Sequence, residues 1–493
     1  MCASLCKQEG VFLTILSEAL IVALRRGILR ALLSVSSKYP KIFRVIHFYG
    51  DFSDFSFYSV SSVSPVSSVS SVSSVIPFSD FIWASGIEDT FIPQTRAGLR
   101  SLDEYALTQH YSQWKTDFDL AAEAGVRVLR WGIPWHRVQP APNCWDWRWV
   151  DEALDYMVNV RGITPIIDLM HYGCPLWLDN GFINAGYPIR VAEYARAVAA
   201  RYKSLACYYT PLNEPTVTAD LCGRQGLWPP YLRGEDGYVK VLVAVARGII
   251  LAVNALKAEQ PEMKTIQVEA LWNNTLHPQA AAYDPALARR VVHGNARQYL
   301  CSDLTTGRVD ESHILYEYLT ETGLDSLELK WFRDRAVQFD VMGANFYPWS
   351  FGELFLGRSG RLKRRLRPVS GEAPAALLGD LYRRYRIPVM VTETSAHSDF
   401  AGRRRWMDET IAAVRCLREQ GTPVTGYTWF PLMTMIRWEY RKGRGPISDY
   451  LLHLGLYDSA FDEAGVLRRQ PTPLVRHYQE HMGRAMPPVA NIL

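Results

Sequence analysis

The spacing of apolar positions changes along this chain, and each change marks an element. From Phe81 onward, short, mainly apolar runs alternate with longer stretches in which apolar residues return every three or four positions. The first kind predicts buried strands and the second amphipathic helices. FIWASG (81–86) is the first strand. YALTQHYSQWKTDFDLAAEAGV follows as a helix, with Leu107, Tyr111, Trp114, Phe118 and Ala121 or Ala122 on one face and Gly125 at its stop. VRVLRWGI, ITPIIDLMHY, LACYYTPLNEP, KTIQVEALW, FDVMGANFYP, IPVMVTET and VTGYTWFPL predict seven more strands. Helical patterns separate them, among them WRWVDEALDYMVNVRG, IRVAEYARAVAARY, GYVKVLVAVARGIILAVNALKAE and MDETIAAVRCLREQG, and TPLVRHYQEHM closes the chain as a helix. A helical and loop region fills about 284–336. A basic, glycine-containing insertion, GRSGRLKRRLRPVSG, precedes the helix around LLGDLYRRY.

Near-continuous apolar strands separated by helices point to an α/β fold with a parallel sheet covered on both faces. Eight such units fit a closed (β/α)8 TIM barrel better than an open, doubly wound sheet. No GxGxxG or GxxxxGK[ST] follows any strand, which removes the usual dinucleotide and phosphate-loop reasons for an open sheet. Residues 76–493 are therefore expected to form one catalytic barrel domain.

Residues 1–75 follow different rules. GVFLTILSEALIVAL is interrupted by Ser17 and Glu18, so its apolar run is too short and broken for a spanning helix of about 20 residues. It also lacks a clean small-residue cleavage site. Valine then recurs at every third position from Val63 to Val75 among serines, a period that suits neither strand nor α-helix. This extension reads as disordered.

Composition adds little beyond this. Apolar residues are 48% of the 493, enough for a large core. A net charge of +4 is too weak to imply nucleic acid, and the basic runs lack interleaved stacking aromatics. Eight cysteines show no CxxC or metal-ligand spacing, and several lie in apolar runs. They suit buried free thiols in a reducing, cytoplasmic compartment. No nucleic-acid or membrane partner is expected, and the chain leaves its oligomeric state open.

The candidate chemistry lies where the apolar runs end. Arg130, His171, Asn213, Glu214, Asn345, Tyr347, Glu393 and Trp429 all fall at or just past strand C-termini, which in a barrel share the face where chemistry is built. Strands four and seven are three steps apart around an eight-strand ring, so Glu214 and Glu393 face each other across the mouth. Two such carboxylates can cleave a glycosidic bond, with retention when they are about 5–5.5 Å apart and with inversion at roughly 6.5–9.5 Å. One must carry a proton and the other must not. Arg130 and Tyr347 could hold a carboxylate ionised, which suits Glu393 as nucleophile. Glu214, beside the sugar-binding amide of Asn213, is then general acid and base. Either glutamate alone could equally be a structural ion-pair partner, His171 a core histidine, and Trp429 core filler rather than a stacking platform.

Several of these strings resemble glycoside hydrolase family 1, the β-glucosidase and β-galactosidase family of retaining (β/α)8 enzymes. VRVLRWGIPWHRVQP is similar to its strand-two signature, LMHYG to its sugar-binding histidine segment and TPLNEP to its acid/base motif. GANFYP is similar to its strand-six pattern and VTET to its nucleophile motif. WFPLMTMIRWEYRKG followed by LGLYD resembles its strand-eight region. The resemblance runs from about residue 81 to 485. It implies Glu214 as acid/base, Glu393 as nucleophile, Arg130 and Tyr347 as nucleophile partners, His171, Asn213 and Asn345 as sugar ligands, and Trp429 as subsite floor. It implies a small glycoside as partner and neither metal nor organic cofactor.

Departures from the family pattern bear on the substrate. Where the family places a sugar-binding glutamine after strand one, this chain reads ASGIEDTF, with Glu88 as the substitute. Where the family shows Glu–Trp after strand eight, it reads Arg437–Trp438–Glu439. VTETS lacks the Asn–Gly that usually follows the nucleophile. Arg437, Arg441, Lys442 and Arg444, with Arg403 to Arg405 and the cluster from Arg358 to Arg367, follow strands six to eight. A loop from these groups could bind an anionic sugar at the cleft, or they could form a solvated basic surface. The sequence supports a retaining β-glycosidase on glucosyl- or galactosyl-type residues. It leaves open a transglycosidase on the same carboxylates and a non-catalytic sugar-binding barrel.

Overall fold

The computed structural model describes residues 81–284 and 286–489. The extension read from residues 1–75 lies outside the described residues. Eight parallel strands close into a barrel: β1 (Ile82–Gly86), β2 (Val128–Gly132), β3 (Thr164–Asp168), β4 (Tyr208–Thr210), β5 (Lys264–Ala270), β6 (Val341–Asn345), β7 (Val389–Thr394) and β8 (Val424–Trp429). Each pairs with its sequence neighbours, and β1 closes the ring on β8 through Ile82 opposite Gly426 and Ser85 opposite Trp429. Every expected strand is present.

Two separate apolar clusters explain why the strands are buried on both faces. The inner one, containing Ile82, Ala84, Val128, Ile166, Val268, Val341 and Met390, fills the barrel. The outer one lies between strands and helices and includes Leu129, Trp131, Ile167, Ala344 and Val391. The two sets alternate along each strand, as side chains of period two must. On β2, Val128 points in and Leu129 out, so Arg130 points in again at the top; on β3 the same parity carries Asp168 inward above Ile166.

β7 breaks this rule at a useful place. Met390 belongs to the inner cluster and Val391 to the outer one, so simple alternation would turn residue 393 outward. The pairing with β6 shifts between Val391 and Glu393, which lie opposite the consecutive residues Ala344 and Asn345. The extra residue is a β-bulge, and it re-aims the following side chain into the mouth.

The helical ring departs from expectation in two places. The first helix breaks at Gln109 (φ 61°) into Glu104–Leu107 and His110–Glu123, since an L-residue in the left-handed region cannot continue a right-handed helix. Gly125 (φ 82°) does supply the stop. The basic insertion is ordered as an antiparallel hairpin, Phe351–Leu356 with Leu362–Leu366, and its first strand also pairs parallel with Asn273–Leu276 beyond β5. The helix Gly234–Glu259 is long and apolar enough to cross a membrane, but 72% of its most apolar window is buried inside the fold. It packs on Tyr187–Tyr202, and a Cβ at Gly248 would stand 2.8 Å from the Tyr187 ring.

Candidate active site

One cavity of about 660 Å³ opens at the C-terminal ends of the strands and is walled by both glutamates. Glu393, from the bulged end of β7, is 4% exposed, and Glu214, just beyond β4, is 7% exposed. Glu214 takes a left-handed backbone (φ 45°) before Pro215 starts a short helix. Such a conformation costs about 1–3 kcal/mol for a non-glycine residue and persists where the surroundings enforce it.

Arg130 organises the floor. Its guanidinium pairs with Glu393 through Nη1, with Asp168 through Nε (3.0 Å) and Nη2 (2.7 Å), and with the Asn213 carbonyl oxygen through Nη2 (2.6 Å). Burial opposes its charge, but the two carboxylates outweigh this and raise its pKa. Burial would likewise push Asp168 up, yet Arg130 and His171 hold it below the usual carboxylate range. Tyr347 donates to the second oxygen of Glu393 at 2.6 Å. Its ring stacks on Trp349, with centroids 4.5 Å apart and planes 6° from parallel. Burial keeps the Tyr347 phenol protonated well above its ordinary pKa, so it remains a donor.

Glu214 has different company. The Asn345 amide donates to Oε1 at 2.9 Å and the Tyr172 hydroxyl contacts Oε2. Burial raises the Glu214 pKa, opposed mainly by these two neutral donors. Glu393 is also raised by burial and by Glu214, but the adjacent Arg130 cation acts against both. Removing its proton therefore creates a charge that already has a counterion. The cation beside Glu393 favours its ionised form more than the neutral donors around Glu214 favour that of Glu214.

His171 sits between them and the opposite wall. Its Nε2 lies 2.9 Å from the Asn213 amide and its Nδ1 2.8 Å from Asp89, and although burial opposes the charge, Asp89 and Glu88 raise the imidazole pKa well above its ordinary value. Glu88, also cavity-lining, lies 3.5 Å from Nε2, and burial raises its pKa. Asn345, Trp438, Arg437 and Glu439 line the same cavity. Trp438 packs edge-on to Tyr172 and to Trp228. Arg437 is at the exposed rim, with Nη2 on the Asp449 carbonyl at 2.6 Å.

Some sequence expectations need correction. Trp429 is fully buried, outside the cavity wall, and its indole donates to the Leu454 carbonyl at 3.1 Å. It supports the wall rather than forming a sugar platform. The basic residues do not converge on the cleft as a group. Arg441 is buried and caps the carbonyls of Ile92, Pro93 and Arg100, while Arg403 is buried against Asp458. Arg364, Arg365 and Arg367 bond to the hairpin and its neighbour through Asn274, Glu353 and Asn273. Arg437 alone of these lines the cavity.

The cavity is also lined by residues that the sequence pattern does not mark, among them Tyr172, Trp272, Trp349 and His397. Tyr172 directly follows His171, and that adjacency was the available signal. Among the described residues, two groups bring possible metal-ligand atoms within 4.8 Å of one another: Asp89–Asp168–His171, and Asp408–His477–His481 on outer helices. In the first, the Arg130 guanidinium already supplies the positive charge at Asp168.

The family model for glycosyl hydrolase family 1 matches residues 84–279, a segment that holds Arg130, His171, Asn213 and Glu214. Beta-glucosidase A of Thermotoga maritima is 26% identical over 250 residues, covering 48% of this chain and 54% of that protein. Beta-galactosidase of Pyrococcus woesei is 22% identical over 413 residues, covering 67% and 79%. The chain thus spans about half the length of the first of these curated relatives. A solved structure of the Thermotoga maritima beta-glucosidase with glucoimidazole superposes with a TM-score of 0.68 at 18% identity, covering 82% of this chain and 97% of that one. It shares the barrel that carries β7 and Glu393, beyond the family-model match.

Proposed function

Since this chain is a divergent member of glycosyl hydrolase family 1, we propose that it is a retaining β-glycosidase acting on a small glycoside with a terminal glucosyl- or galactosyl-type residue. The observation that carries the reading is the unequal support of two buried carboxyls in one cavity, Glu393 on a guanidinium and Glu214 on neutral donors. Glu393 attacks the anomeric carbon while Glu214 gives its proton to the departing oxygen. The glycosyl–Glu393 ester then forms, and Glu214, now ionised, takes a proton from water as that water displaces Glu393. We assign sugar-hydroxyl binding to the cavity-lining His171, Glu88 and Glu439, with Asn213 fully buried and bonded instead to Arg130 and His171. Tyr347 and Arg130 hold Glu393 and disperse its charge before attack and after release.

The outer wall is apolar, with Val217, Leu271, Trp272, Met435, Leu452 and Leu454. That wall favours an apolar aglycone, and it supports a second reading in which an alcohol replaces water in the second step. The six described cysteines are free thiols, which suits a reducing, cytoplasmic setting. A screen of nitrophenyl glycosides, with and without added alcohol and with the anomeric form of the first product followed by NMR, tests both readings. Retention with release of free sugar supports hydrolysis, retained alkyl glycoside supports transfer, and turnover of none or an inverted product refutes the proposal.

A further inference from the structure

The hydrogen-bond network fixes where the proton of Glu214 resides. A guanidinium only donates, so the Asn213 oxygen must be the atom that faces Arg130 Nη2. Asn345 Nδ2, 3.1 Å from that same oxygen, must then be the amide nitrogen, and its own carbonyl oxygen accepts from Thr392 Oγ1 at 2.6 Å. Glu214 Oε1 faces this nitrogen and is therefore locked as an acceptor. When Glu214 is protonated, its proton has to sit on Oε2, and the neighbour there is the Tyr172 hydroxyl.

We propose that Tyr172 is a positioning residue for Glu214, holding the acid proton on Oε2 through a hydroxyl that turns with each half-reaction. The inference rests on the reading of Glu214 as acid and base. Before a glycoside binds, Tyr172 accepts from Oε2–H, and with the glycoside bound that O–H turns to the leaving oxygen and gives up its proton there. Once the proton has gone to the leaving oxygen, the hydroxyl turns and donates to the carboxylate. A phenol suits this role because it both donates and accepts, and burial keeps this one neutral. The placement is enforced. Tyr172 has a left-handed backbone (φ 75°), as does Glu214, and its ring is boxed by His171, Trp228 and Trp438 at centroid distances of 4.8, 5.1 and 5.5 Å.

The test compares Tyr172→Phe with the parent enzyme on two glycosides of one sugar. One carries a dinitrophenyl group, which leaves without a proton, and the other a phenyl group, which needs one. General acid catalysis contributes about 10²–10⁴-fold. Tyr172→Phe is expected to lower kcat/KM for the phenyl glycoside by about 10-fold or more, with the dinitrophenyl substrate nearly unaffected. Since Tyr172 donates to ionised Glu214, its removal also raises the Glu214 pKa and moves the alkaline limb of the phenyl profile upward. Difluorotyrosine at position 172, an isosteric variant with a more acidic phenol, moves that limb downward and remains informative should the phenylalanine variant fold poorly. Equal losses on both substrates, or an unmoved limb in both variants, overturn the inference. Glu214→Gln run in parallel separates the two claims. If it spares the phenyl substrate, the acid assignment itself fails. If it selectively impairs that substrate while the Tyr172 variants do not, only the Tyr172 inference fails.

Discussion

The floor of the cavity and its rim draw on the same residue types for opposite purposes. On the floor, one arginine meets two carboxylates and an amide, and all are nearly inaccessible to water. At the rim, Arg437 and Glu439 are exposed, and Arg437 is tied to a backbone carbonyl. A charge in the dry floor acts at full strength on its neighbours, whereas water and salt weaken one at the rim. On the proposed function, the reaction depends on the floor, and the rim can vary with the substrate. This explains how the sequence keeps the carboxylate strings yet departs at Arg437–Trp438–Glu439.

Substitutions should grade with depth. If Glu393 is the nucleophile as proposed, Glu393→Gly removes the attacking atom and is expected to lower turnover by roughly four orders of magnitude or more, with azide restoring activity on an activated glycoside as an azide adduct. No rescue would mean that Glu393 is not the nucleophile. Arg130→Met leaves Glu393 and Asp168 buried without their cation. The expected destabilisation is about 3–5 kcal/mol by denaturant unfolding, and a loss below 1 kcal/mol would show the floor to be wetter than described.

Glu269 tests the effect of burial away from the cavity, on the outer side of β5 where it meets the helices that carry Ser302 and Thr216. It sits on β5 and accepts from Ser302 at 2.6 Å, from Gln267 at 3.2 Å and from Thr216 at 3.3 Å. Burial pushes its carboxyl up to about 8 from an ordinary 4.5. Between those values the folded chain keeps a proton that the unfolded chain has lost, so this group makes stability fall as pH rises through that window. Above it both states are ionised and the slope vanishes. Glu269→Gln is expected to flatten the fall in melting temperature over this range, and an unchanged profile would contradict the burial argument. The smallest effect belongs to the rim. Arg437→Met is expected to change neutral aryl glycosides by less than about 3-fold, within the range of an exposed charge, and to weaken carboxylated ones more. Equal loss on both would remove any role in anion selection.

The legibility of the sequence follows the same division. Each barrel strand was readable because a run buried on both faces has few polar residues until its mouth end, where Arg130, Asn213, Asn345 and Glu393 stand out. The bulge on β7 was not readable, since no residue type marks it, and without it the inward aim of Glu393 contradicts strand parity. Tyr172 was hidden because an aromatic residue in an apolar run looks like core, and its role depends on Arg130 and Asn345 from other strands. Trp429 erred the other way, being an aromatic at a mouth position that is packed behind it. The hairpin over Phe351–Leu366 escaped because its third strand, Asn273–Leu276, is four residues long and far away in sequence.

The central claim is the division of labour between two buried glutamates, and covalent trapping tests it most directly. A deoxyfluoro glycoside with an activated leaving group slows the second step more than the first, so the glycosyl-enzyme accumulates. Peptide mass spectrometry of the trapped protein is predicted to place one sugar on the peptide containing Glu393. A sugar on Glu214 or on any other residue would contradict the account.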